Sequence, residues 1–126
     1  MYEAVTRGIR VRVTPTFLAE QSSPENNYYF WAYTILIENG SDVAVQLRSR
    51  YWHITDANGF TEEVRGPGVV GQTPGEAFTY TSGCPLRTPQ GIMVGSYQMV
   101  NTRGEMFDVA IPAFSLDSPF ARRKVN

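Results

Sequence analysis

Cysteine and histidine are almost absent from this chain, which holds one of each among its 126 residues, Cys84 and His53. A single cysteine cannot form an internal disulfide, so the fold does not require an oxidising compartment. A structural zinc site needs four ligands and a catalytic one about three, usually cysteine or histidine. The acidic residues Asp56, Glu62 and Glu63 do not replace them, because adjacent strand residues point to opposite faces. We therefore predict no metal site.

An excess of charge and a long apolar run are also missing. The formal net charge is −1, whereas proteins that bind nucleic acid are usually strongly basic. No apolar run approaches the roughly 20 residues that span a bilayer, and no secretion signal is recognisable. We predict a cytoplasmic protein that binds neither nucleic acid nor membrane and is a monomer or weak homodimer. Its length predicts one domain over residues 1–126, with a core at about 5–118 and a loose basic tail at 119–126.

Alternation of apolar and polar residues dominates the chain, and no window shows a helical repeat. Ile9, Val11 and Val13 share one face of a predicted strand, and the odd-numbered residues of 29–37 form the apolar face of another. The predicted strands are GIRVRVT, YYFWAYTILIE, VAVQLRSRYWHIT, FTEEV, GEAFTYT, IMVGSYQMV and EMFDVAI. The pattern predicts an all-β fold: a two-sheet antiparallel sandwich of about seven strands, fibronectin type III-like or immunoglobulin-like.

Three places depart from simple alternation. The apolar face changes parity between Arg48 and Tyr51, which predicts a bulge or a move to the other sheet. Gly95 interrupts a strand and predicts a bulge or a close approach of two backbones. The prolines of SGCPLRTPQG predict a loop over residues 82–91.

The stretch RGPGVVG, residues 65–71, has the G-x-G-x-x-G spacing of dinucleotide-binding loops at Gly66, Gly68 and Gly71. Those loops work because a helix begins inside the motif and points its free N–H groups at the phosphates. Here Pro74 and a predicted strand follow, so we predict neither a dinucleotide site nor any other cofactor site. A surface loop is the simpler interpretation. An anion-binding nest of backbone N–H groups beside Arg65 is the alternative.

His53 and Cys84 are the remaining candidates for catalysis, as a base and a nucleophile. The sequence does not bring the two together. We interpret His53 as a strand residue beside Trp52 and Cys84 as a small packed residue. No catalytic residue is predicted, and the chain is not expected to be an enzyme.

Four arginines fall on two of the predicted strands. If those strands are neighbours, the side chains form a basic strip that suits an acidic partner or phosphates. The simpler interpretation is a solvated sheet face. The four residues are Arg10, Arg12, Arg48 and Arg50.

The chain contains, in this order, the segments EQSSPEN, FWAYTILIEN, VQLRSRYWHITDANG, EVRGPGVVG, GEAFTYTSGCPLRTPQG, MVGSYQM and FDVAIPAFSLD. Together these segments resemble the ApaG family over residues 5–118. The resemblance implies a fibronectin-III-like sandwich without established enzymatic activity. Bacterial members are associated with dinucleoside polyphosphate hydrolysis by gene neighbourhood, and in some species with cobalt resistance and magnesium efflux under the name CorD. Similar eukaryotic domains occur in an F-box ubiquitin-ligase receptor and in a polymerase-interacting protein.

The resemblance implies a non-enzymatic module that binds a protein partner not yet identified. Contact is expected through loops or by strand addition along an exposed edge, first at Arg65, the glycine stretch and the SGCPLRTP segment. The alternative is a phosphate- or pyrophosphate-binding protein that uses loop 65–71. Family members usually carry several more residues between the glycine stretch and Pro74, so we expect this loop to lie closer to the sheet.

Overall fold

The computed structural model describes residues 1–68 and 71–120 of the chain. Val69, Val70 and residues 121–126, which include most of the predicted tail, lie outside the described residues. Two 3₁₀ turns, Ala19–Gln21 and Pro24–Asn26, precede the third strand. The strands are β1 Tyr2–Thr6, β2 Ile9–Phe17, β3 Tyr29–Asn39, β4 Val45–Asp56, β5 Thr61–Pro67, β6 Gly71–Gln72, β7 Ala77–Leu86, β8 Gln90–Asn101 and β9 Met106–Asp117.

Two antiparallel sheets pack face to face and confirm the predicted sandwich. The first sheet has the order β1-β2-β3-β7, and the second has the order β5-β4-β8-β9, with the short β6 also paired to β4. All seven predicted strands are present, as β2 to β5 and β7 to β9. Strands β1 and β6 are also present and were not predicted.

The inner faces of both sheets form one continuous core. The predicted apolar faces of β2 and β3 are buried as expected, and the second sheet contributes large side chains such as Trp52, Tyr97 and Phe114. Burying one such side chain stabilises the fold by roughly 1.5–3 kcal/mol. The buried apolar and aromatic residues of β2 and β3 are Ile9, Val11, Val13, Tyr29, Trp31, Tyr33, Ile35 and Ile37.

Both predicted irregularities are confirmed. The register of β4 against β8 shifts between Leu47 and Ser49, and this bulge lets Leu47 and Trp52 both face the core. The register of β8 against β9 shifts between Met93 and Gly95. A Cβ atom at Gly95 would lie 2.1 Å from the carbonyl oxygen of Tyr51, so only glycine fits there.

The predicted loop over SGCPLRTPQG is wrong. Strand β7 continues through Cys84, opposite Trp31, and Pro85, opposite Phe30. Proline is tolerated because β7 is an edge strand, where one side of the backbone needs no ladder hydrogen bond. Gly83 leaves room for the Phe30 ring, whose Cζ would lie 2.4 Å from an added Cβ. Only residues 87–89 remain as a turn.

The two long sides of the sandwich differ. On the side that we call the closed seam, β1 and β2 lie against β9. There the Tyr2 and Phe114 rings are 6.0 Å apart, and the Ala110 N–H donates to Thr6 Oγ1 at 3.2 Å. On the opposite side, the open seam, β5 and β7 are the edge strands of their sheets.

Candidate functional site at the open seam

A groove lies between the two sheets at one end of the open seam. We call it the seam groove, and its volume is about 430 Å³. The second sheet supplies one wall through β4, β5 and the hairpin between them, and the first sheet supplies the other through the end of β7 and the residues next to β3 and β7. The side chains that define its shape and charge are Tyr28, Ile54, Asp56, Phe60, Glu62, Leu86 and Arg87.

The hairpin wall is held by Asp56. Its Oδ1 accepts the backbone N–H groups of Asn58, at 2.8 Å, and of Phe60, at 3.0 Å. Gly59 completes the turn with a φ of 87°, a left-handed conformation that favours glycine. Phe60 consequently stands at the tip of the wall with 74% of its surface exposed.

The opposite wall is tied to the hairpin through the turn after β7. Thr88 Oγ1 accepts the Ala57 N–H at 3.1 Å and donates to the Gln90 carbonyl at 2.7 Å. Tyr28 stacks on Phe30 with ring centroids 6.4 Å apart and remains 42% exposed. Contacts within the chain therefore fix both walls of the seam groove, which lowers the ordering cost of binding.

A second cavity, the polar pocket, adjoins the seam groove and has a volume of about 630 Å³. Tyr28 and Arg87 line both cavities. The polar pocket has no acidic side chain in its described lining, whereas the seam groove contains Glu62. The residues found only in the polar pocket are Asn26, Asn27, Asn58, Thr88 and Pro89.

Arg87 carries a positive charge at the junction of the two cavities. The ion pairs among residues 1–68 and 71–120 involve Arg7, Arg10 and Arg12, and none of them involves Arg87. The lining of the groove thus combines the carboxylates of Asp56 and Glu62 with apolar side chains and the guanidinium of Arg87.

The glycine stretch begins in the other end of β5. Arg65 and Gly66 belong to that strand, where they pair with Tyr51 and Arg50, rather than to a loop. The Arg65 guanidinium lies over the Tyr51 ring at 4.8 Å. The predicted close approach of the stretch to the sheet is seen at Gly68, where an added Cβ would lie 1.6 Å from Leu47 Cδ2.

The backbone of the glycine stretch bears on its predicted role. A nest needs left-handed backbone next to right-handed backbone, and neither Gly66, Gly68 nor Gly71 has a positive φ. The stretch is followed by β6 and β7, so its described flanks are strands, as expected. Because Val69 and Val70 lie outside the described residues, anion binding by loop 65–71 stays a prediction.

His53 and Cys84 do not meet. His53 pairs with Glu63 and Val94 on the outer face of the second sheet, whereas Cys84 is buried in the core. Burial raises the pKa of the Cys84 thiol to about 12, the reverse of what activates a nucleophilic cysteine. The interpretation of Cys84 as a packed residue is confirmed.

The four arginines do not form one strip. Arg10 and Arg12 lie on the first sheet, whereas Arg48 and Arg50 lie on the second. On the first sheet, Glu3 lies 2.9 Å from Arg12 and 3.5 Å from Arg10. Those charges form a solvated network on a sheet face, whereas Arg50 turns inward at the open seam.

Arg50 and two tyrosines form the inner wall of the open seam. The hydroxyls of Tyr80, on β7, and Tyr97, on β8, are 2.6 Å apart, so one hydrogen bond links the two sheets. Burial raises the pKa of both hydroxyls, because it disfavours the charged form. The Arg50 guanidinium lies 4.9 Å from the Tyr80 ring centroid and its Nε donates to the Pro67 carbonyl at 3.1 Å.

A second tyrosine contact lies outside, on the face beside His53. The Tyr51 hydroxyl donates to Glu63 Oε2 at 2.6 Å. This hydrogen bond raises the pKa of Tyr51 and lowers the pKa of Glu63.

Neither a cation site nor a membrane-spanning helix is present in the described part of the chain. Within residues 1–68 and 71–120, no three histidine, cysteine, aspartate or glutamate side chains are grouped to hold an ion. No helix there has the length and apolar character to cross a membrane.

The most exposed aromatic side chains of the groove were not predicted from the sequence. Tyr28 directly precedes a buried strand, and Phe60 directly follows the DANG turn. The sequence offered one signal for these two residues: each is a large apolar side chain beside a turn, outside the alternation of apolar and polar residues. Arg87 belongs to the SGCPLRTP segment that we expected to contact a partner.

These features define a class: an all-β sandwich with a preformed groove at one open edge. Comparison with known proteins then identifies the family. A sequence model of the ApaG domain matches residues 19–101. Protein ApaG of Mesorhizobium japonicum is 62% identical, and Protein ApaG of Brucella anthropi is 61% identical, over 100% of both chains. The chain belongs to the ApaG family.

A solved structure agrees with this membership. The crystal structure of the putative ApaA protein from Bordetella pertussis is 47% identical and superposes with a TM-score of 0.84. The match covers 90% of this chain and 95% of that one. The predicted family and fold are both confirmed.

Proposed function

We propose that this chain is a non-enzymatic binding module that holds a segment of a partner protein at the open seam. The observation that carries the proposal is a preformed groove, bordered by two exposed aromatic side chains, beside an edge strand. The separation of His53 from Cys84 is consistent with a role in binding rather than in catalysis.

The aromatic side chains supply the anchor points. Tyr28 and Phe60 are 42% and 74% exposed on either side of a concave apolar surface. Exposed apolar groups that cluster around a groove are typical of interaction sites, unlike scattered ones. Tyrosine and arginine are also the residue types that contribute most often to binding energy at interfaces, and Arg87 stands beside them.

Strand β5 supplies a second means of contact. It pairs with β4 on one side only, and six of its seven residues are exposed. Its outer N–H and C=O groups can therefore pair with an extended segment, as in β-strand addition. Because Thr61 and Glu62 also line the seam groove, one segment can pair with β5 and insert a side chain into the groove.

The family resemblance is the basis for our proposal about the cellular process in which this module acts. We infer a cytoplasmic role in a pathway linked to dinucleoside polyphosphate metabolism, or to cobalt and magnesium homeostasis, in which this module brings a partner into place. The partner is a protein in this proposal, and the chain itself carries out no reaction.

A phage-displayed library of random dodecapeptides tests the proposal. We expect selected peptides to shift the backbone amide resonances of Thr61 to Glu63 and of Arg87 in the labelled protein. Phe60→Ala should weaken binding at least about tenfold, in line with the loss of an interface anchor. Met106→Ala is the matched control, since it removes another exposed apolar side chain, on β9.

The proposal fails if the library yields no binder. It also fails if the selected peptides shift resonances elsewhere and bind Phe60→Ala as well as they bind the unchanged protein.

Anion binding by the glycine stretch is the second candidate function. Arg65 is exposed, none of the ion pairs of the described residues involves it, and an added Cβ at Gly66 or Gly71 would meet no atom within 4 Å. These features leave room for a phosphate. Pyrophosphate binding at the stretch would shift the amides of residues 65–71, and Arg65→Gln would abolish the response while Arg103→Gln would not. No shift at millimolar pyrophosphate would remove this candidate.

A further inference from the structure

The charges around the seam groove are unevenly distributed, and this restricts what can bind. Asp56 and Glu62 line the seam groove but not the polar pocket, whereas Arg87 lines both. A carboxylate near Asp56 or Glu62 would be repelled, and one at Arg87 would be attracted. A bound segment that carries an acid is therefore oriented with the acid toward the polar pocket.

The polar pocket also offers hydrogen-bond donors. Asn27 and Asn58 line it, and neither side-chain amide appears in the hydrogen bonds among residues 1–68 and 71–120. A side-chain amide carries two N–H donors and a guanidinium carries five. Together with Arg87, these groups suit a carboxylate, which has two oxygens to accept hydrogen bonds.

The apolar part of the seam groove adjoins the polar pocket, because Tyr28 and Arg87 line both cavities. Ile54 and Leu86 also line the seam groove, and both are more buried than Tyr28 and Phe60. Alternate residues of an extended segment point to the same side and are about 7 Å apart. A segment that lies across both cavities can therefore present its side chains at positions i and i+2 to one cavity each.

We propose that the seam groove recognises an extended peptide segment in which an apolar residue and an aspartate or glutamate are two positions apart. The apolar side chain enters between Tyr28 and Phe60, and the carboxylate pairs with Arg87. This inference rests on the proposed function and names the chemistry of its ligand.

The test compares synthetic peptides derived from the library binders. For each binder, the acidic residue is replaced by its amide, aspartate by asparagine or glutamate by glutamine, and affinity is measured by isothermal titration calorimetry. We expect the amide peptide to bind about tenfold more weakly, because a charge-assisted pair is lost. Arg87→Gln should bind both peptides equally and weakly.

A charge reversal sharpens the test. Arg87→Glu should prefer a peptide with lysine at the acidic position. Arg103→Glu, an exposed arginine in the turn between β8 and β9, is the matched control and should keep the original preference. Neither position is buried, so both variants should fold, and a thermal unfolding curve checks this.

The outcomes separate the inference from the proposed function. Groove binders without preference for an acid would overturn the inference and leave the proposed function intact. Binders whose acid preference survives Arg87→Glu would also overturn it, since the acid would then contact another group. Absence of any groove binder would overturn both.

Discussion

The two seams of the sandwich differ in how the edges of the two sheets are covered. At the closed seam, β1 and β2 cover β9, and Tyr2 packs on Phe114. At the open seam, β5 and β7 keep their outer backbone groups unpaired by any strand of the described chain. The comparison indicates that rigidity is concentrated at one long side of the molecule and accessibility at the other.

An open edge carries a risk of edge-to-edge association, and β5 contains features that limit it. Charged side chains and a proline on an edge strand disfavour pairing with a second copy. In β5 these are Glu62, Glu63, Arg65 and Pro67. Such an edge favours a ligand with complementary charges over non-specific pairing.

The largest difference between the seams should appear in stability. Phe114, at the closed seam, is 1% exposed and contacts Tyr2, Tyr33 and Trp52. Phe114→Ala should lower the free energy of unfolding by about 3–5 kcal/mol, because it leaves a cavity in the core. Phe60→Ala, at the open seam, should change it by less than about 0.5 kcal/mol.

Urea denaturation of the two variants measures this difference. Ligand binding should show the reverse order, with Phe60→Ala defective and Phe114→Ala intact below its unfolding transition. Equal losses of stability in the two variants would contradict the division between the seams.

A smaller loss of stability is expected from the hydroxyl pair that crosses the open seam. Tyr97→Phe removes the hydrogen bond to Tyr80 and should cost about 0.5–1.5 kcal/mol at neutral pH. The cost stays modest because Tyr80 is only partly buried, so its hydroxyl can turn to water. Thermal unfolding at pH 7 measures the loss, and Tyr51→Phe, on the outer face, is the control.

Alkaline pH should remove the stabilising contribution of this buried pair. Burial raises the pKa of Tyr97 in the folded protein, whereas tyrosine in the unfolded chain ionises near about pH 10. The stabilising contribution is therefore complete below that pH and is lost as the pH rises, by up to about 1.4 kcal/mol per pH unit. Tyr97→Phe should reduce the steepness of this loss between about pH 9.5 and 11, and an unchanged slope would contradict the prediction.

The rate at which the Cys84 thiol is labelled measures whether β7 separates from the sandwich while the rest of the protein stays folded. Its pKa of about 12 leaves a thiolate fraction at pH 8 about a thousandfold below that of an ordinary cysteine. Cys84 should therefore react with a thiol reagent at least about a thousandfold more slowly in the native protein than in the protein unfolded in urea. Fast labelling without global unfolding would show that the open seam opens locally.

Much of the fold could be predicted because alternation with a period of two determines which side chains face the core. The parity change after Leu47 even predicted the bulge in β4. Strand β1 was missed because YEAVT lacks a continuous apolar face and gains its place by pairing with β2 and packing on β9. The end of β7 was missed because Pro85 is a loop signal unless the strand is known to be at an edge.

The candidate site was less predictable. Its walls come from residues far apart in sequence, such as Tyr28 and Arg87, and only the order of strands in the two sheets brings them together. The glycine stretch attracted attention because its motif is local. Gly68 instead allows the backbone to pack closely on the Leu47 side chain. The G-x-G-x-x-G spacing does not predict this role.

The smallest expected effect concerns the outer face of the second sheet, where β5 pairs with β4. Tyr51→Phe removes the hydrogen bond that lowers the pKa of Glu63, so that pKa should rise toward its usual range. The bond favours the folded state above the unfolded pKa of about 4.5 and is lost as the pH falls through the lower folded value. Carboxyl resonances followed by NMR between about pH 2 and 7 measure the shift, with Tyr28→Phe as a control that should leave Glu63 unchanged. Because both groups face solvent, the denaturation midpoint of Tyr51→Phe should equal that of the unchanged protein. A marked fall in this midpoint would mean that the outer face contributes to stability as the closed seam does.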